Sequence, residues 1–100
     1  MYTSIRKYYV FPGRVDELMQ RVRAGFVPII SQVPGFVAYY LLEVRNDEIV
    51  SISIFDTRAG AEESTRRAAT WVEQNIASLI QGLPEITVGE VKVRSTKQRV

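Results

Sequence analysis

Residues 36–44 read Phe-Val-Ala-Tyr-Tyr-Leu-Leu-Glu-Val and are apolar or aromatic at nearly every position. As a strand, this run places Phe36, Ala38, Tyr40 and Leu42 on one face and Val37, Tyr39 and Leu41 on the other. A strand that is apolar on both faces has to be covered on both, which a two-layer monomer does not do. Arg45-Asn46-Asp47 supplies a turn. Residues 48–55 then alternate, with Val50, Ile52 and Ile54 on one side and Ser51 and Ser53 on the other. The pair reads as a β-hairpin.

The flanks of the hairpin carry helical periods. Val15, Leu18, Met19, Val22, Phe26, Ile29, Ile30 and Val33 form one stripe and predict a helix over 14–33. Pro28 interrupts it: the ring lacks an N–H and clashes with the carbonyl of Ala24, so a kink or an early break is expected there. A second stripe of Ala61, Thr65, Ala68, Val72, Ile76 and Leu79 predicts a helix over 58–81, with Asp56 or Thr57 as N-cap and Gly82 and Pro84 behind it. Residues 2–11 and 86–93 read as the first and last strands, the former stopped by Pro12-Gly13. The order is βαββαβ, the split βαβ or ferredoxin-like arrangement: an α+β fold with an antiparallel sheet and both helices on one face.

One hundred residues make one domain, placed at 1–94, with a basic tail at 95–100. So small a domain buries only about 60–65% of the surface its unfolded chain exposes, so self-association would help it. With both helices on one face of the sheet, the apolar second face of residues 36–44 asks for a cover, and the simplest is another copy of the chain, at about 800 Å² per partner. The expected assembly is therefore a homodimer joined through the sheet face.

Composition excludes several chemistries. The chain has no cysteine and no histidine, so disulfides, thiolate metal sites, a Ser-His-Asp triad and the usual zinc and haem ligands are out of reach. No metal or other cofactor is expected. Residues 1–91 hold nine Lys/Arg against eleven Asp/Glu, a net of −2, and Lys92, Arg94, Lys97 and Arg99 bring the whole chain to +2. The basicity belongs to the C-terminal end, and no wide basic face points to nucleic acid. No apolar run has bilayer-spanning length and no signal-peptide pattern opens the chain, so a cytoplasmic protein away from membranes is expected.

The element order, the length, and the segments 34–44 (Pro-Gly-Phe-Val-Ala-Tyr-Tyr-Leu-Leu-Glu-Val), 50–57 and 59–76 resemble the dimeric α/β-barrel superfamily. Within it the chain is most similar to the antibiotic biosynthesis monooxygenase-type domain. The resemblance implies a pocket between sheet and helices in which an Asn, a Trp and an Arg or Tyr contact an aromatic substrate, with no cofactor. Trp71 matches the Trp of that pattern. The haem-degrading branch of the superfamily uses a histidine, which this chain lacks.

Arg67, Trp71 and Asn75 are spaced i, i+4, i+8 and share a helix face. They are the candidate catalytic set: an indole to stack a ring, an amide to fix a carbonyl, a guanidinium to hold an anion. The competing reading is a Trp sealing the edge of a small core, with Arg67 and Asn75 in solvent. Tyr8, Tyr9, Tyr39 and Tyr40 are candidate substrate contacts, one of each adjacent pair facing the helices and the other the partner. Arg6 and Lys7 likewise split between the faces; a charge there could point into the pocket and hold an anion or enolate, with Arg6 as the candidate substrate contact, or lie at a solvent edge, the commoner case. Ser51 and Ser53 could line a cavity or pack closely against a helix. Three functions remain open: a cofactor-free monooxygenase-like enzyme acting on an aromatic or polyketide-like molecule, a non-catalytic dimeric ligand-binding module, and, more weakly, an isomerase with one buried carboxylate. A sheet–helix cavity lined by Trp71 and polar groups would favour the enzyme, and a filled one the module.

Overall fold

A computed structural model describes residues 1–97. The last three residues of the tail expected at 95–100 lie outside the described residues. Four strands, β1 (Tyr2–Tyr9), β2 (Phe36–Arg45), β3 (Glu48–Phe55) and β4 (Glu85–Glu90), form one sheet in the order β2-β3-β1-β4, every neighbouring pair antiparallel. The helices pack on one face, as expected for the ferredoxin-like arrangement. The β2–β3 turn needs a left-handed residue, and Asp47 provides it at φ 65°.

The first helical segment runs without a break through Pro28. Helix α1 (Val15–Arg21) passes into a π-helical turn (Val22–Phe26) and on into α2 (Val27–Ile30). The Val27 N–H bonds the Val22 carbonyl, one residue further back than in an α-helix. This widened turn is how the helix absorbs a proline that cannot donate to Ala24.

Helix α3 (Arg58–Asn75) starts at Thr57, whose hydroxyl accepts from the Gly60 N–H at 3.1 Å. Gly60 also lies where a Cβ would fall 2.7 Å from the Pro34 carbonyl, so the helix start and the loop before β2 touch through backbone. The helix ends six residues before the predicted 81. Ala77–Leu79 form a 3₁₀ turn, and Ile80 is extended and bridges Val10. The bridge, the Gln81 N–H on the Tyr9 carbonyl and the Phe11 N–H on the Leu79 carbonyl take up backbone groups that a longer helix would have used internally. The last strand stops at Glu90 rather than 93: Glu90 pairs with Tyr2, the first residue of β1, and beyond it a single bond remains, from the Val91 N–H to the Met1 carbonyl.

Register decides the two faces. On the helix side, rows run Tyr39–Ser53–Ser4–Val88 and Leu41–Ser51–Arg6–Ile86 across the sheet. On the open side, rows run Ala38–Ile54–Thr3, Tyr40–Ile52–Ile5 and Leu42–Val50–Lys7. The serines of β3 thus lie under the helices, and its isoleucines and valine lie on the uncovered face. Ser4, Ser51, Ser53 and Ser64 are all buried. Their small side chains let α3 approach the sheet closely, and none of them lines a cavity. The core proper is larger side chains at either end, among them Leu18, Ile30, Ile49, Phe55, Ile76 and Leu79.

Candidate functional site

Trp71 points inward from α3. It is 8% exposed and its ring centroid lies 5.4 Å from that of Phe26, in the π-helical turn. Gly25 makes room for it, since a Cβ there would come 3.1 Å from the indole Nε1. Tyr39 completes the aromatic cluster with an edge contact to Phe26, centroids 5.6 Å apart. The sheet–helix space bounded by Trp71, Phe26, Tyr39, Tyr8 and Leu41 retains only about 10 Å³. That is about the volume swept by one water-sized probe, so side chains fill it.

The structure does not bring Arg67 and Asn75 into that space. Arg67 is exposed and lies 3.7 Å from Glu63. The Asn75 side-chain amide donates to the Trp71 carbonyl at 2.9 Å, and its own backbone carbonyl accepts from Arg21 at 2.6 Å. Asn75 is thus part of the helix terminus and its docking to α1. Arg67 and Trp71 do share a second, open groove of about 390 Å³ along α3, with Ile29, Glu63 and Thr70, while Asn75 is held apart from it at the helix end.

Both tyrosine pairs split between the faces. Tyr8 and Tyr39 face the helices; Tyr9 and Tyr40 lie on the open face, 43% and 55% exposed. Burial, with repulsion from Tyr8 second, pushes the Tyr39 hydroxyl well above its ordinary value near 10.

Arg6 is the exceptional residue. It is 4% exposed, in a strand, beneath a helix. Its Nη2 donates to the Thr65 carbonyl at 2.9 Å and its Nη1 to the Tyr8 hydroxyl at 3.5 Å. Among the described residues no carboxylate lies within 4.0 Å of it. A guanidinium offers five N–H donors, so most of its capacity is unspent. Taking such a charge out of water is costly without an anionic partner. Arg6 lines a groove of about 530 Å³ whose walls are mostly apolar, Ala69, Val72, Ala77, Ile80, Leu83 and Ile86 among them, with Glu73 of α3 as the other charged residue. The groove exists because α3 covers β1 and β3 but leaves the helix-side residues of β4 half open: Ile86 and Val88 are each 46% exposed. A cation under an apolar cleft is an arrangement that binds and stabilises an anion.

Among the described residues no group of three or more His, Cys, Asp or Glu comes together. Among the described residues no helix is long and apolar enough to cross a membrane.

Comparison with known proteins agrees with this architecture. The chain is similar to a protein of unknown function from Nitrosomonas europaea (TM-score 0.82, 17% identity, covering 98% of this chain and 95% of that one). It is similar to a monooxygenase from Streptomyces coelicolor crystallised with nanaomycin D (TM-score 0.77, 16% identity, 97% and 92% covered). It is also similar to SnoaB, a cofactor-independent oxygenase from Streptomyces nogalater (TM-score 0.74, 15% identity, 96% and 97% covered). At these identities the likeness concerns the fold. No curated protein sequence matches the chain. The family model described as antibiotic biosynthesis monooxygenase matches residues 1–70, which span the sheet strands β1 to β3 and most of α3, and the chain belongs to that family.

Proposed function

We propose that the protein is a cofactor-independent, monooxygenase-like dimer that takes a flat aromatic or polyketide-like molecule as its phenolate or enolate, with the anionic oxygen held by Arg6. The observation that carries this reading is the buried Arg6 guanidinium, with no carboxylate within 4.0 Å among the described residues, beneath a largely apolar groove. An enolate delocalised over a ring system reacts with dioxygen from its own electrons. The protein then has to bind, orient and stabilise charge. A fixed cation beside an acidic hydroxyl favours its ionised form and so raises the reactive fraction. Tyr8 holds Arg6 in place in this reading. The partner copy covers the open sheet face, where Ile5, Tyr40, Leu42, Val50, Ile52 and Ile54 form a continuous apolar surface. Faces of that kind are uncommon on monomers.

A second reading, a non-catalytic ligand-binding module of the same fold, is favoured by the filled space at Trp71. The two separate in one experiment using anthrone as the probe: calorimetric binding together with oxygen uptake. Arg6→Met is expected to weaken binding about ten-fold or more and to stop uptake, with Arg6→Lys retaining part of both. Uptake that is unchanged in Arg6→Met removes the proposal. Arg6-dependent binding without uptake in the wild type leaves the binding module.

A further inference from the structure

The Arg6 groove contains a second charge. Of the residues that line it, all are apolar or glycine except Arg6 at its floor and Glu73 on α3. Glu73 is exposed, lies one helical turn after Ala69 on the same wall, and has no cation within 4.0 Å among the described residues. Arg6 and Glu73 thus stand at the two depths of one cleft without pairing to each other. At the mouth, Leu83 is 91% exposed, an apolar surface left for an apolar body to cover.

Resting on the assignment of Arg6 as the anion-holding group, we propose that Glu73 is a specificity residue that reads the outer end of the ligand. The groove takes a molecule with one anionic group, an apolar body, and a cationic or hydrogen-bond-donating substituent at the far end. Dianionic molecules are selected against. The physical reason is plain electrostatics: an anion at the rim repels a second negative group and attracts an ammonium or hydroxyl. For charges held roughly 8 Å apart at a protein surface, each such interaction changes affinity about two- to six-fold at low salt.

Three probes of one shape test this: 2-naphthoate, naphthalene-2,6-dicarboxylate and 6-(aminomethyl)-2-naphthoate, titrated calorimetrically at low salt. The expected order in the wild type is aminomethyl acid, then monoacid, then diacid, each step about two- to six-fold. Glu73→Gln should collapse the three towards one affinity, and Glu73→Lys should reverse the order. Because Glu73 is a solvent-facing helix residue, both variants should fold with unchanged circular dichroism. If the probes bind and Arg6→Lys weakens all three, but the Glu73 variants leave the order as in the wild type, the inference about Glu73 is wrong and the Arg6 site stands. If no probe binds, or none depends on Arg6, both fall together.

Discussion

Replacing Trp71 by Ala removes on the order of 140 Å³ of side chain from a region that holds only about 10 Å³ of residual space. At about 24 cal/mol per Å³ of void, an uncollapsed cavity alone would cost about 3 kcal/mol. Collapse is restricted, because the wall opposite is the π-helical turn carrying Gly25 and Phe26, and that turn is set by Pro28. Adding the lost transfer free energy of the indole gives an expected destabilisation of about 3–5 kcal/mol, a large share of the stability of a 100-residue domain. Melting temperature should fall by at least about 12 °C. The assay is urea unfolding followed by far-UV circular dichroism in both proteins, since Trp71 is the single tryptophan and its fluorescence vanishes with it. Adding indole should restore part of the loss by refilling the void, in proportion to the logarithm of its concentration. A loss below about 1 kcal/mol with an unchanged m-value would refute the packing argument. The indole would then be at a site edge rather than in the core.

Two further outcomes follow from the same geometry. Tyr39 is held neutral in the folded protein and ionises near its ordinary value when unfolded, so the unfolded chain binds fewer protons above about pH 10 and stability falls there, by up to about 1.4 kcal/mol per pH unit. Tyr39→Phe should flatten that part of the stability–pH curve, measured by urea midpoint between pH 9 and 11, and an identical slope in both proteins would contradict it. On the open face, Ile52→Glu places a charge at the centre of the Tyr40–Ile52–Ile5 row and should shift sedimentation from dimer to monomer at micromolar concentration without loss of circular dichroism; a wild type that sediments as a monomer rules out the sheet-face dimer.

Much of this protein is readable from local periods. The two-residue alternation of 48–55, the helical stripe from Ala61 onward, the Thr57 cap and the turn at 45–47 depend on neighbours a few residues away, and the βαββαβ order follows from them. Element ends were less legible, because they depend on distant partners. The β4 strand stops opposite Tyr2, where β1 begins, and α3 stops where Ile80 is drawn to Val10. The sequence also shows that Ser51 and Ser53 oppose Val50, Ile52 and Ile54, but not which set lies under the helices. That choice is made by register with β1, which aligns Ser53 with Ser4 and Ser51 with Arg6. The same register carries Arg6 into the interior, beside the Thr65 carbonyl and beneath the groove. Helical spacing put Arg67, Trp71 and Asn75 on one stripe. Only the packed structure takes Asn75 away from the other two and turns the indole of Trp71 inward, because a side chain's destination is set by what lies opposite: a glycine with room for an indole at one position, and a neighbouring backbone at the helix end.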